Sequence, residues 1–193
     1  MAPIKPEELE RLKAAGRRMY EGGLVAGTLG AIGIRLSEGR VAVTAAGSRL
    51  GFLESSDFLT LNGNRMPVGQ KGRAPVMDAG VLAAALDAQP DAGSVIRAQS
   101  PYATALAHRG SLFLEESGEL LGNLGGVAFV PFYRRGTAGL AGAVAEALKT
   151  NRVAIIEGQG PVVWGRDIDD AVDHAEALEA AATVIFILSG KGV

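Results

Sequence analysis

Residues 94–108 read SVIRAQSPYATALAH and join an apolar run directly to a helical one. The run 94–99 contains Val95 and Ile96, and β-branched residues favour a strand. Ser100 and Pro101 then form a helix start, because serine caps helix N-termini and proline fits the first helical position. The stretch therefore predicts a strand that passes without a long loop into a helix over 101–108.

Outward from this stretch, strand and helix patterns are interleaved along the chain. Apolar residues at helical spacing predict helices over 6–21, 77–88, 137–148 and 167–188. Short apolar or alternating runs predict strands at 31–36, 40–44, 58–61, 127–130, 153–156 and 161–164. Because a hairpin is mixed in with helices, we expect an α/β fold with a partly antiparallel sheet rather than a doubly wound parallel one.

The composition limits the chemistry that the chain can perform. Its 193 residues include no cysteine and two histidines, His108 and His174. A zinc site that uses sulfur, a thiolate nucleophile and a three-histidine metal site are therefore excluded within one chain. The net charge of −2 gives no overall attraction to nucleic acid or to an anionic membrane.

Length and segment patterns set the expected organisation. The length fits one domain over 1–193. The first twenty residues are charged and lack the apolar core of a signal peptide, and no apolar run approaches the ~18 residues of a membrane span. We expect a cytoplasmic protein that binds neither a membrane nor nucleic acid.

Common nucleotide and nucleophile motifs are not matched. Gly27, Gly30 and Gly33 are spaced by three and follow a helix, whereas a dinucleotide fingerprint follows a strand. The sequence also contains neither a P-loop nor a Gly-x-Ser-x-Gly elbow.

Three segments, in order and spacing, resemble the class II aldolase/adducin family, which includes fuculose-phosphate aldolase-like and sugar epimerase-like enzymes. They are 23–35 (GLVAGTLGAIGIR), 94–106 (SVIRAQSPYATAL) and 153–160 (VAIIEGQG). In the family, the first carries Gly-Leu-x-x-Gly-Thr-x-Gly-Asn-x-Ser-x-Arg, the second His-x-His, and the third Asn-His-Gly. The resemblance implies a three-layer α/β/α fold around a central, mainly antiparallel mixed sheet.

Members of this family bind a divalent metal, usually zinc, through three histidines, and a nearby acidic residue transfers a proton. By resemblance, the histidine positions hold Arg97, Gln99 and Gln159, and the acidic position holds Asp78. Residues i and i+2 of a strand share a face, so we expect Arg97 and Gln99 to point together into the cleft. Arginine has no lone pair to donate, and a glutamine oxygen is a poor zinc ligand. We therefore expect no metal cofactor and a metal-independent pseudoenzyme that has lost zinc-dependent aldol cleavage.

The resemblance also locates a phosphate pocket. Most of the positions that are polar in the family's pocket carry apolar side chains in this sequence. These positions are Ala31, Ala46, Val76 and Met77. Gly30 and Gly47 remain as candidate ligand contacts.

The first functional hypothesis is a small-anion site in the old cleft. Arg97 would bind a carboxylate or phosphate through its two-pronged guanidinium, with Asp78 as partner or proton acceptor. Gln99 and Gln159 would orient a small polar ligand. Alternatively, Arg97 and Asp78 only neutralise each other in a cleft that binds nothing. Six more basic residues offer further anion contacts, without a ranking: Arg49, Arg65, Lys71, Arg73, Arg134 and Arg135.

The second hypothesis is a non-catalytic oligomeric interaction module of the adducin type. By resemblance we expect a homo-oligomer, specifically a homotetramer, and alanine-rich stretches at 141–147 and 175–182 would allow close helix packing. A third reading is an active aldehyde-lyase.

Overall fold

A computed structural model describes residues 4–63, 67–68, 72–108 and 124–189, so Arg65 and Lys71 lie outside the described residues. The helices are α1 (Pro6–Glu21), α2 (Ala79–Ala88), α3 (Pro101–Ala107), α4 (Ala138–Leu148) and α5 (Ile168–Ser189). The strands are β1 (Ala31–Arg35), β2 (Val41–Thr44), β3 (Phe58–Leu61), β4 (Ser94–Arg97), β5 (Val127–Val130), β6 (Val153–Ile156) and β7 (Gly160–Gly165).

The strands form one seven-stranded sheet in the order β3-β2-β1-β4-β7-β6-β5. Five of the neighbouring pairs are antiparallel, and β5 and β6 are parallel. The predicted hairpin is β1 and β2, in which Gly33 lies opposite Val43. The sheet is mixed and mainly antiparallel, as predicted.

Helices cover both faces of this sheet. On one face, α1, α3 and α5 form a hydrophobic core with Val153 and Ile155 of β6. On the other face, α2 and α4 form a second core with Ala154 and Ile156. Successive side chains of a strand point to opposite faces, so one short apolar strand serves both cores. The result is the expected three-layer α/β/α fold.

The stretch 94–108 forms the centre of the molecule. Strand β4 lies between β1 and β7, and Arg97 pairs in register with Ala31 and Val162. All four β4 residues are buried. Helix α3 begins four residues later, so the predicted direct passage from strand to helix is confirmed.

The start of α3 is capped differently from the sequence prediction. Ser100 occupies the N-cap position, but its hydroxyl makes no capping hydrogen bond. The free backbone N–H groups of Tyr102 and Ala103 instead donate to the Glu179 carboxylate of α5, each at 2.9 Å. A negative charge at a helix N-terminus is favourable, and this one also joins α3 to α5.

The helix boundaries agree with the prediction to within about two residues, which is the usual scatter of helix ends. The largest difference from the predicted boundaries is at α2, which begins at Ala79. Asp78 is therefore the N-cap residue and does not lie inside the first turn. No described helix has both the length and the hydropathy that a membrane-spanning segment needs.

Asp170 joins the first turn of α5 to the sheet. Its carboxylate accepts hydrogen bonds from the guanidinium and the backbone N–H of Arg166, at 2.8 and 2.9 Å, and from Arg152 at 2.8 Å. These hydrogen bonds, chiefly that of the Arg166 side chain, and the two positive charges lower the pKa of Asp170 to about 2 although partial burial opposes the shift.

Asp170→Asn should lower the free energy of unfolding by about 1–2 kcal/mol at pH 7. The folded pKa lies below the unfolded value of about 3.9, so this stabilisation is complete above pH ~4 and disappears as pH falls toward 2. Urea unfolding at pH 7 and pH 3 measures it. Asp169→Asn is the matched control, because Asp169 lies in the same turn but is half exposed. An equal loss in the control contradicts the prediction.

Candidate functional site

Asp78 has a buried side chain at the start of α2, with 1% of its surface exposed. It makes no helix-capping hydrogen bond. Its Oδ2 atom lies 2.9 Å from Arg97 Nε and 2.6 Å from Arg135 Nη2, and Arg135 Nε donates weakly to Oδ1 at 3.5 Å. One carboxylate therefore faces two guanidinium groups, and this arginine-aspartate cluster carries one excess positive charge.

Arg97 is one of the largest fully buried side chains of the protein. Its Nη2 atom donates to the Gln159 carbonyl oxygen at 3.0 Å and to Gln159 Oε1 at 3.4 Å. Its Nε atom faces Asp78 as an ion pair without hydrogen-bond geometry. Burial lowers the pKa of Arg97 from its ordinary value, the Asp78 charge opposes that shift, and the Arg135 charge adds to it.

Gln159 reaches the cluster from the turn between β6 and β7. Its side chain is almost completely buried, and its Nε2 atom donates to the Tyr133 carbonyl oxygen. The following residue must be glycine: Gly160 has a φ of +87°, and a Cβ there would lie 2.7 Å from the Ala98 carbonyl oxygen. The turn thus packs closely against the end of β4 and holds Gln159 over the Arg97 guanidinium.

Arg135 is the accessible member of the cluster, with 39% of its side chain exposed. It lies in the connection between β5 and α4, two residues before Thr137, whose hydroxyl caps α4 by accepting from Leu140 N–H at 3.3 Å. From the sequence, Arg135 was one of six candidate basic residues and was not distinguished from the others. The feature of the sequence that could have singled it out is its position two residues before a helix N-cap, where the direction of the chain is fixed.

Gln99 is near the cluster in sequence but is not bonded to it. The expectation that Arg97 and Gln99 point together assumed that the strand continues, whereas β4 ends at Arg97. The Gln99 backbone N–H donates to the Leu24 carbonyl at 3.1 Å, and its buried side-chain oxygen has no hydrogen-bond partner in the described part of the chain.

The two candidate glycines occupy backbone positions close to the site. A Cβ on Gly30 would lie 3.3 Å from the Arg97 carbonyl oxygen, so the chain before β1 runs directly beside β4. Gly47 lies in an open turn after β2 with a φ of +77°. That turn is tied to the segment preceding Asp78 by an isolated bridge between Ala45 and Pro75.

Arg73 and His174 contact residues outside the arginine-aspartate cluster. Arg73 pairs with Asp57 at 2.9 Å, and His174 Nδ1 lies 2.6 Å from the Asp170 carbonyl oxygen. His108 follows α3 and approaches the turn at Gly158. Over 4–63, 67–68, 72–108 and 124–189, no three histidine, cysteine, aspartate or glutamate side chains are grouped as metal ligands.

This geometry suits anion binding more than proton transfer. The buried carboxylate already accepts from the Arg135 guanidinium and forms an ion pair with that of Arg97, so it can accept a substrate proton only if an ion pair is broken. Part of the Arg135 side chain is exposed, and a guanidinium pairs with carboxylates and phosphates through parallel hydrogen bonds.

Comparison with known proteins identifies a family and several relatives of this chain. The sequence profile of the class II aldolase and adducin N-terminal domain matches residues 10–186. A 3-oxo-tetronate 4-phosphate decarboxylase of Haemophilus influenzae is 30% identical over 191 residues, which cover 95% of this chain and 89% of that protein. A methylthioribulose-1-phosphate dehydratase of Gluconobacter oxydans is 31% identical over 184 residues, covering 86% of this chain and 84% of that protein.

Solved structures share the fold. The L-fuculose-1-phosphate aldolase of Thermus thermophilus superposes with a TM-score of 0.80 at 20% identity, covering 98% of this chain and 99% of that one. At this identity the likeness concerns the arrangement of strands and helices only.

Asp78→Ala should destabilise the protein by about 3–5 kcal/mol, because it leaves the buried Arg97 charge without a carboxylate. Urea unfolding measures the loss. The double variant Asp78→Ala with Arg97→Met removes both buried charges and should recover most of the stability. A single-variant loss below about 1 kcal/mol would mean that the pair behaves like a surface ion pair.

Proposed function

Because the chain belongs to the class II aldolase and adducin family, we propose that it binds a small anionic metabolite in the family's cleft without using a metal ion. The observation that carries this proposal is the pairing of one buried carboxylate, Asp78, with two guanidinium groups. Asp78 neutralises one of the two positive charges. The remaining charge is presented by Arg135, which is open to solvent.

The residues at the expected zinc position do not fit a metal ion. Arg97 places a permanent positive charge there, and a cation would be repelled by it. The carbonyl and side-chain oxygens of Gln159 already accept hydrogen bonds from that guanidinium. No step of the proposed function therefore passes through a metal, and loss of zinc-dependent aldol cleavage is part of the proposal.

The proposed ligand is a phosphorylated or carboxylated compound derived from a sugar. The relatives from Haemophilus influenzae and Gluconobacter oxydans are both named for sugar-derived phosphates. The phosphate groups of such compounds match the exposed guanidinium of Arg135 in charge and in hydrogen-bond geometry. Because those relatives are named as enzymes, a retained lyase activity is the competing outcome that an experiment must address. The cytoplasmic location expected from the sequence belongs to this proposal.

A second candidate function is an oligomeric interaction module. It is favoured by exposed apolar side chains near the C-terminal end of α5, where contiguous apolar surface is typical of protein contacts. These side chains are Val184, Phe186, Ile187 and Leu188. In this candidate the chain forms a homo-oligomer, a homotetramer by family resemblance, and the arginine-aspartate cluster has a structural role only.

Protein purified without chelators should contain no stoichiometric zinc and should not cleave L-fuculose 1-phosphate. The variant Arg97→His, Gln159→His places two imidazoles beside the Asp78 carboxylate, a donor set that binds zinc, and should gain about one zinc per chain. Elemental analysis of both proteins in parallel measures this. Stoichiometric zinc in the unmodified protein, with aldol cleavage that a chelator abolishes, overturns the proposal in favour of an active aldehyde-lyase.

Inorganic phosphate should bind to the chain in isothermal titration calorimetry at low ionic strength. Arg135→Gln should weaken this binding by about tenfold or more, because it removes a charge-assisted hydrogen-bond donor. Arg17→Gln is the control, since Arg17 is an exposed arginine of α1 outside the cluster. A chain that binds no phosphate but sediments as a tetramer contradicts the proposal and favours the interaction module.

A further inference from the structure

Apolar side chains stand exposed near Arg135, the accessible residue of the arginine-aspartate cluster. Met77 is 64% exposed, Phe132 is 66% exposed and Tyr133 is 38% exposed. Met77 directly precedes Asp78, and the two aromatic residues precede Arg135 in the same connection between β5 and α4. Large apolar side chains exposed near a charged group are candidates for contact with a ligand.

Met77 is held close to Arg135 by packing. Its Cγ atom lies 3.1 Å from the position that a Cβ on Gly136 would occupy. Gly136 has a φ of +73° and directly follows Arg135. Met77 therefore directly precedes Asp78 in the chain and packs against Gly136, the residue that follows Arg135. Met77 is thus the exposed, unbranched thioether side chain that lies beside the chain segment of Arg135.

The aromatic residues are anchored by their backbone. The Tyr133 carbonyl oxygen accepts from Gln159 Nε2, and its ring Cδ1 lies 3.4 Å from the Cβ position of Gly139 in α4. The Phe132 N–H donates to Glu157 Oε2 at 3.3 Å. These contacts fix the backbone of the connection that carries Phe132, Tyr133 and Arg135.

Resting on the proposed function, we propose that the anion bound by Arg135 carries an apolar substituent, and that Met77 is the residue that selects it. The ligand class is a sugar-derived monophosphate ester that carries an apolar substituent in place of hydroxyl groups on the side that faces Met77. A polyol would place hydroxyl groups against Met77 and the aromatic side chains, where they lose water without gaining hydrogen bonds. An apolar group at the same place is removed from water and gains contact area.

The test compares two phosphate monoesters that differ in the polarity of the organic part. Phenyl phosphate should bind to the unmodified protein about five to ten times more tightly than glycerol 3-phosphate in isothermal titration calorimetry, as expected for burial of part of an apolar ring. Met77→Ser should reduce this preference to about twofold or less, whereas Met77→Leu, which keeps an apolar side chain of similar volume, should retain it.

The outcomes separate this inference from the function on which it rests. Equal affinities for the two esters in the unmodified protein, with phosphate binding that still depends on Arg135, overturn the inference alone. A loss of preference in both Met77 variants also overturns it, because the apolar character of the side chain is then irrelevant. Absence of Arg135-dependent phosphate binding overturns the proposed function itself. If the esters bind equally and Met77→Ser changes the oligomeric state in light scattering, the surface is an interface between copies of the chain.

Discussion

The Asp78 carboxylate, enclosed between two guanidinium groups, is the interaction on which the rest of the site depends. It joins the start of α2, the end of β4 and the connection before α4, which lie far apart in sequence. A buried charge must be paired, so none of these three segments can move away from the others without a large energetic cost. Gln159 extends the same constraint to the turn between β6 and β7.

The fold could be predicted from the sequence because its strands and helices follow local sequence patterns. Strand β6 is an apolar run of four residues bounded by polar and glycine residues, and the start of α3 carries a serine and a proline. The residue that caps α3 could not be predicted from the sequence. The carboxylate that accepts from the first N–H groups of α3 comes from Glu179, 76 and 77 positions away from its donors, and only the tertiary packing of α3 on α5 brings it there.

The site could be predicted only in part, and from family resemblance rather than from local sequence rules. Family resemblance singled out Asp78, Arg97 and Gln159, and mutual neutralisation of the first two was one of the open readings. Arg135 was named but not ranked, because its partner is 57 positions away and nothing local marks that pairing. Gln99 was expected beside Arg97 on the basis of strand periodicity. That argument holds only while a strand continues, and β4 ends two residues before Gln99.

Exchange of a metal ion for a guanidinium changes what this cleft can do under the proposed function. Both are positive, so the attraction for an anion is kept. A guanidinium, however, has no coordination position to offer a substrate oxygen, and that of Arg97 is sealed behind Asp78 and Gln159. Recognition therefore has to come from the accessible side, through Arg135 and the apolar groups beside it. Under that proposal, ligands would be discriminated by the shape and polarity of the group next to the anion, because the charge of Arg135 attracts every small anion alike.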